Sequence, residues 1–165
     1  MEIDLSKLQN IDIIDLYSEM ITELKKRQII RTKNLLGDLG EYLAIDYYLN
    51  TPGLDNLQAA PAGTQNVDAL GRSGERYSIK STSGRVTGVF RGLNDPDVHE
   101  AEAQKFEFVV IVIFTGEFKL SKIVEITWNQ FLELKKWHRT MRAWNLPVNN
   151  NLLEEGRIIY TEENT

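Results

Sequence analysis

The run Phe106–Phe114 constrains the fold more than any other stretch of this chain. Nearly all of its residues are β-branched or aromatic, which is typical of a strand that is buried on both faces. We therefore expect it to be a central strand of the sheet, with structure packed against each of its two faces.

The elements around this run predict an α/β domain. Residues 115–117 form a turn, 118–126 alternate as a returning strand, and Thr127–Gln130 has the capping-box pattern that opens a helix through about Trp137. Two helices and a hairpin come earlier in the chain, and residues 156–161 fit a last edge strand. This order predicts a central mixed β-sheet flanked by α-helices, in a single domain over residues 1–165.

Two amphipathic helices are predicted ahead of the hairpin. Apolar residues recur at three- and four-residue steps over residues 5–29, and a second set fits residues 33–49. The apolar face of the first helix either packs into the core or forms a subunit contact, as a dimerisation element. In the second helix Glu41 stands apart from Asp38 and Asp46 on the outer face, because its neighbours at helical spacing are small or apolar. Its carboxylate therefore either reaches water at the helix edge or faces a site.

Composition narrows the chemistry. The chain has 165 residues, 42% hydrophobic and 26% charged, and no apolar run approaches the ~20 residues of a membrane span. Because its start is acidic, unlike a signal peptide, we expect a soluble cytoplasmic protein without membrane association. The chain has no cysteine and only two histidines, His99 and His138, which argues against zinc. Any catalytic metal would have oxygen ligands, which points to Mg²⁺ or Mn²⁺.

The hairpin over residues 66–82 concentrates polar chemistry. Residues 66–70 and 75–82 read as strands joined by the turn Gly71–Gly74. Strand alternation places Ser78 and Lys80 on one face, with Asp68 across the turn from both. A carboxylate can hold Mg²⁺, and a lysine can stabilise charge on a phosphate or orient a water molecule. The alternatives are a turn-capping Asp68, a solvated Lys80, or a surface ion pair between them.

The arrangement of Asp68, nine residues, and then Ser78-Ile79-Lys80 resembles the bipartite motif of the PD-(D/E)XK nuclease superfamily. In that motif the first Asp is followed across a hairpin by an acidic residue, any residue, and Lys. The spacing and the Tyr before the second half look most like the short blunt-cutting type II restriction endonucleases. The resemblance covers roughly residues 35–127. It departs from the motif at Val67, where the family name has Pro, and at Ser78, where an acidic metal ligand is expected.

The resemblance implies a restriction-endonuclease-like core and a Mg²⁺-dependent endodeoxyribonuclease acting as a homodimer on double-stranded DNA. Asp68 and Glu41 would bind Mg²⁺, which Mn²⁺ can replace, together with the backbone carbonyl of Ile79. Lys80 would orient the attacking water, and Ser78 would hydrogen-bond a water on the metal. Strand parity turns Glu75 away from Lys80, which leaves three other acidic residues as candidates for the second carboxylate: Asp95, Asp97 and Glu100. A nuclease-fold protein that binds nucleic acid without cutting is the alternative, and a protein that meets a partner through its acidic surface is another.

DNA contacts are expected where positive charge and hydroxyl groups collect. The net charge of −5 argues mildly against nucleic-acid binding, but residues 71–91 hold five basic residues against Glu75 alone. The polar stretch 81–92 is either a phosphate-binding surface or a solvated strand edge. The predicted DNA-contacting residues are Asn66, Arg72, Arg76, Ser81, Thr82, Ser83, Arg85 and Arg91. The basic segment 135–142, with Trp137 and Trp144 interleaved, is either a second DNA contact or part of the core.

Overall fold

The computed structural model describes residues 3–61 and 63–162, so the terminal residues of the expected single domain lie outside the described part. The helices are α1 (Asn10–Lys26), α2 (Leu35–Asn50), α3 (Trp128–Leu134) and α4 (Asn150–Glu155), preceded by a 3-10 turn at Leu5–Lys7. The strands are β1 (Gln58–Ala59), β2 (Ala69–Leu70), β3 (Arg76–Thr82), β4 (Phe108–Phe114), β5 (Leu120–Thr127), β6 (Lys136–His138), β7 (Ala143–Asn145) and β8 (Arg157–Thr161).

The central sheet has the order β1-β2-β3-β4-β5-β8. Strands β3 and β4 run parallel, whereas the other neighbours are antiparallel, so the sheet is mixed. Strands β6 and β7 form a separate two-stranded hairpin. The predicted α/β architecture, with a mixed central sheet flanked by helices, is confirmed.

Strand β4 is the centre of the core, as its composition predicts. The four residues 109–112 have no exposed surface. Val110 and Val112 pack with Ala44 and Tyr48 of α2 on one face of the sheet. Val109 and Ile111 belong to a second cluster on the other face, which α3 completes with Trp128 and Phe131. Alternation along a single strand therefore supplies both halves of the core.

Helix α1 differs from its expected role and limits. It begins at Asn10 because Gln9 and Asp12 form a capping box there, and beyond Lys26 the chain turns at Gln28, whose φ is 59°. None of the residues 10–26, all of which the structure describes, is buried. Ile11 and Ile14 on the apolar face are each 58% exposed. The interpretation of this face as core packing is wrong, and the subunit contact stays a prediction.

Several other boundaries move for local reasons. The first hairpin strand shortens from residues 66–70 to β2, because Asn66 has a φ of 59° and cannot continue an extended chain. Helix α3 does not reach Trp137, since residues 136–138 form β6. Residues 95–102 form turns and bends, and α4 was not predicted. Among the described residues, the helices lack the length and apolar content needed to cross a membrane.

Candidate active site

Asp68 is fixed at the edge of the sheet by two hydrogen bonds. Its backbone N–H donates to the Tyr77 carbonyl at 2.8 Å, and its side-chain Oδ2 accepts the N–H of Ile79 at 2.7 Å. The second bond continues the β2–β3 ladder with a carboxylate in place of a backbone carbonyl. The predicted position of Asp68 opposite the second half of the motif is therefore the observed one.

The backbone carbonyl of Ile79 points toward the same edge. In a strand the N–H and C=O of one residue project to the same side. The N–H of Ile79 and the carbonyl of Tyr77 both bond Asp68, so the Ile79 carbonyl also projects toward the side of Asp68. Strand β2 pairs with β3 only at residues 76 and 77, which places this carbonyl beyond the paired region.

Helix α2 brings Glu41 to this edge because it packs very closely on β3. A Cβ added at Gly40 would collide with the Ser81 hydroxyl, so only a glycine permits this approach. Glu41 and Asp68 line one cleft of about 300 Å³, together with Arg31 and Asp38. The hypothesis that Glu41 faces a site rather than open solvent fits this placement.

The two carboxylates repel each other in a partly dry environment. Burial raises the pKa of Asp68, against the hydrogen bond from Ile79 and the charge of Lys80, which lower it. Burial also raises the pKa of Glu41; Arg31 opposes that shift and the neighbouring charge of Asp68 adds to it. A divalent cation between the two groups would relieve both the burial cost and the repulsion.

Lys80 does not line the cleft that Glu41 and Asp68 share. Its side chain lies on the opposite face of the sheet from α2, beside Phe90 of the second core cluster. Its ammonium lies 4.9 Å from the centroid of the Phe90 ring. Burial lowers the pKa of Lys80, and the charge of Asp68 works against that shift. The ammonium is therefore partly desolvated and electrostatically coupled to the carboxylate, as a charge-stabilising lysine requires.

Ser78 lies on β3 two residues before Lys80 and is fully buried. Its hydroxyl makes no hydrogen bond of normal distance and angle, yet it is close enough to Asp68 to lower the pKa of that carboxyl. A buried hydroxyl without a partner is costly. The position where the motif has an acidic residue is thus polar, enclosed and unsatisfied.

The donor atoms at this edge are of the type that a magnesium ion binds. No group of three or more Asp, Glu, His or Cys side chains is placed to hold a metal within residues 3–61 and 63–162. Mg²⁺ nevertheless needs only one or two carboxylates and keeps several waters. Asp68 and Glu41 share one cleft and offer two carboxylates of this kind, and the Ile79 carbonyl projects toward the side of Asp68.

The other acidic candidates lie elsewhere. Asp95 pairs with Arg142 at 3.2 Å, and Asp95 and Asp97 line a different cavity beside the β6–β7 hairpin. Glu100 does not line the cleft of Asp68. Glu75 accepts the N–H of Ser73 within the hairpin turn, in agreement with its strand parity. Of the four candidates named from the sequence, only Glu41 lines the cleft of Asp68. Asp38 lines it too, but its Oδ2 already accepts the backbone N–H groups of Arg31 and Thr32.

The structure separates the predicted DNA-contacting residues into two sets. Ser83, Arg85 and Arg91 are exposed on the segment after β3. Arg72 is exposed as well, and its backbone N–H donates to Asp55. The others have partners or lie inside: Arg76 forms a double contact with Glu107, Asn66 donates to the Arg91 carbonyl, Thr82 bonds Val86 and Gly84, and the Ser81 hydroxyl is buried under α2.

The segment 135–142 is mainly structural in its aromatic part. Trp137 and Trp144 pack edge to face at 5.2 Å between ring centroids, and the Lys135 ammonium lies 3.7 Å from the Trp144 centroid. The Trp144 indole donates to the Asn94 carbonyl at 2.8 Å. Both tryptophans are half-buried, so they hold the β6–β7 hairpin against its neighbours.

Two residues of the cleft were missed. Asp38, expected on the outer face of its helix, is 7% exposed and accepts the N–H of Arg31 at 2.7 Å. Its place in the first turn of a helix was a signal for such a role. Arg31 pairs with Glu41 at 2.5 Å, and nothing in the sequence marks this loop arginine.

No protein-family model matches the chain, and no curated protein matches it.

Proposed function

We propose that this protein is a Mg²⁺-dependent endodeoxyribonuclease with a restriction-endonuclease-like core, acting on double-stranded DNA as type II restriction endonucleases do. One observation carries the proposal. The Asp68 carboxylate is held on the Ile79 N–H at the sheet edge, in one cleft with Glu41, and Lys80 is coupled to it. These residues correspond to the PD-(D/E)XK motif except at Ser78, where the motif has an acidic residue, and they support a role in phosphodiester hydrolysis.

Each of the site residues would have a separate task in this reaction. Asp68, Glu41 and the Ile79 carbonyl would hold Mg²⁺, for which Mn²⁺ can substitute. The ion would supply Lewis-acid stabilisation of the phosphate charge. Lys80 would orient the attacking water and stabilise the extra negative charge of the transition state. Ser83, Arg85 and Arg91, all exposed, would hold DNA phosphates.

A second candidate function follows from Ser78. Its buried hydroxyl occupies the position of an acidic ligand and lacks a hydrogen-bond partner. A chain with one ligand fewer could retain DNA binding and lose cleavage. The alternative function is therefore that of a catalytically impaired nuclease-fold protein that binds nucleic acid without cutting it.

The decisive experiment is cleavage of supercoiled plasmid and phage DNA with Mg²⁺ or Mn²⁺, set against EDTA. We expect metal-dependent cutting that falls about 10²–10⁴-fold in Lys80→Ala, the usual contribution of a positioned proton-transfer or charge-stabilising group. Lys119→Ala is the matched control, because Lys119 lies exposed in the β4–β5 turn and should cut like the parent. Cutting that survives Lys80→Ala would place the activity elsewhere or in a contaminant.

The binding-only alternative has its own outcome. This alternative is supported if the parent binds DNA with a steep salt dependence but does not cleave it. It is supported further if Ser78→Asp gains metal-dependent cutting. Failure to retain DNA at any salt concentration would exclude both functions and leave a protein that meets its partner through its acidic surface.

We propose that the active form is a homodimer joined through α1. One chain supplies one Asp68–Glu41 cleft, whereas cutting both strands of a duplex requires two, and a two-fold protein matches a palindromic site. Of the exposed large hydrophobic residues in the described chain, nearly half lie in residues 3–20. Exposed apolar side chains concentrated in one segment support an interaction site there, and a second copy is the occupant that the chemistry calls for. An enzyme that hydrolyses cellular or invading DNA would act in the cytoplasm.

A further inference from the structure

The backbone of Arg31 is anchored by a buried carboxylate, whereas its side chain is half exposed and held by one ion pair. Its N–H donates to Asp38 Oδ2 at 2.7 Å, and the N–H of Thr32 donates to the same oxygen at 2.5 Å. The side chain is 44% exposed, and its Nη2 lies 2.5 Å from Glu41 Oε1. The chain before α2 therefore has a fixed base from which a long cationic side chain reaches into the cleft.

The Arg31 guanidinium is placed where a cation is needed. Arg31, Glu41 and Asp68 line the same cleft. The charge of Arg31 acts on both carboxylates, lowering the pKa of Glu41 and of Asp68 against the opposing effect of burial. In the metal-free protein this arginine therefore neutralises part of the negative charge that a metal would otherwise neutralise.

We propose that Arg31 has two positions: on Glu41 when the cleft holds no metal, and on a DNA phosphate when Mg²⁺ takes the carboxylate. This inference rests on the proposed function. A Mg²⁺ ion binds a carboxylate oxygen at about 2.0–2.1 Å, so a guanidinium on the same group would stand a few ångströms from a doubly charged ion. Repulsion favours its release toward the mouth of the cleft. Arginine is well suited to the second position, because its planar fork matches a phosphate.

Two measurable consequences follow. Removing the guanidinium should tighten metal binding, because no internal cation has to be displaced. It should also weaken DNA binding and reduce the mutual dependence of the two ligands, since metal no longer releases a phosphate-binding arm. Linkage makes this dependence reciprocal: metal tightens DNA binding by the factor by which DNA tightens metal binding.

The test compares the parent with Arg31→Met, which keeps an unbranched side chain without charge, and with Arg27→Met as the control. Arg27 forms a similar pair with Glu23 at 2.7 Å, but on α1 and outside the cleft. Mn²⁺ binding without DNA is measured by electron paramagnetic resonance. We expect the Mn²⁺ Kd to fall about 5–50-fold in Arg31→Met, within the usual range of coupling between sites, and to change less than about twofold in Arg27→Met.

The second measurement is duplex binding by fluorescence anisotropy. Every protein in it also carries Lys80→Ala, which slows cutting of the duplex. With Mn²⁺ present, Arg31→Met should bind the duplex about tenfold more weakly, the value of one charge-assisted hydrogen bond. Arg31→Lys keeps the positive charge but not the planar guanidinium, so its duplex affinity should fall between those of the parent and Arg31→Met. Circular dichroism and thermal unfolding verify that each variant folds.

The outcomes separate this inference from the proposed function. If Arg31→Met binds Mn²⁺ less tightly than the parent, Arg31 orients Glu41 as a ligand and the two-position inference is overturned. If the parent binds both Mn²⁺ and DNA, and Arg31→Met changes neither affinity, the two-position inference is overturned and the proposed function is not. If no form binds Mn²⁺ at all, the metal site fails and both the proposed function and this inference fall together.

Discussion

Helices α1 and α2 are neighbours in the chain and nearly equal in length, at 17 and 16 residues, but the protein uses them in opposite ways. Helix α1 has the stronger apolar stripe and no buried residue among 10–26. Helix α2 is apolar around much of its circumference and has four buried residues, Asp38, Gly40, Ala44 and Tyr48. The period of the apolar residues identifies a helix face that needs burial. It does not say whether the sheet of the same chain or another molecule buries that face.

The difference also separates the site from the proposed interface. Helix α2 carries Glu41, so its packing against β3 sets the geometry of the cleft. Gly40 and Ser81 meet so closely that the helix has little freedom to shift. Helix α1 makes few contacts with the rest of the described chain, which leaves it available to a second copy. Substitutions should therefore affect folding on α2 and assembly on α1.

The largest expected effect comes from a tyrosine on each helix. Tyr48 on α2 is 1% exposed and donates to the buried Glu125 at 2.7 Å, whereas Tyr17 on α1 is 55% exposed. Tyr48→Ala should lower the free energy of unfolding by about 3–5 kcal/mol, as for other large buried aromatics, and it also removes a hydrogen bond from the buried Glu125 carboxylate. Tyr17→Ala should change it by less than about 0.5 kcal/mol. Urea denaturation of dilute protein measures both, and equal losses would mean that α1 is part of the core.

A smaller effect is expected from the close approach of α2. Gly40→Ala should destabilise the fold by about 1–3 kcal/mol, because the added Cβ meets both the Oγ and the Cβ of Ser81. Combining it with Ser81→Ala should recover part of the loss, since the hydroxyl has no hydrogen-bond partner to lose. Gly88→Ala is the control, because a Cβ there meets nothing within 4 Å. Strictly additive effects of the two changes would show that the helix moves to accommodate the methyl group.

The third effect depends on pH. Burial alone would raise the pKa of Asp38, but the backbone N–H groups of Thr32 and Arg31 lower it below the ordinary 3.8. A carboxyl with a lowered pKa in the folded state stabilises above its unfolded pKa, and this stabilisation is lost as the pH falls through the folded value. Asp38→Asn should therefore cost about 1 kcal/mol at neutral pH and progressively less below pH 3.8.

Unfolding free energies of the parent and the variant across this acid range test the sign. Asp46→Asn, on the exposed side of the same helix, is the matched control and should follow the parent closely. A cost for Asp38→Asn that stays constant with pH would mean that the carboxyl does not stabilise the fold through its charge.

The elements that could be predicted from sequence are those whose cause is local. Phe106–Phe114 needs burial on both faces wherever it lies, and the Thr127–Gln130 capping box is formed by neighbouring residues. The placement of Asp68 also has a local cause, because a short hairpin fixes which residues face each other. The burial of Asp38 and the pairing of Arg31 with Glu41 depend instead on how a loop folds over a helix terminus. Residue type and spacing do not predict that contact, so only the structure identifies these two residues as part of the cleft.

The smallest change in stability, and the sharpest test of the comparison, concerns the exposed face of α1. Ile14→Ser and Tyr17→Ser should each change the unfolding free energy of the monomer by less than about 0.5 kcal/mol, because both side chains are more than half exposed. If this face joins two copies, the same variants should shift the protein from dimer to monomer in sedimentation velocity across a concentration series. Thr22→Ala, on the polar face, should leave the distribution unchanged. A parent that stays monomeric at every concentration, with DNA and without it, would contradict the homodimer and require each cleft to cut its strand alone.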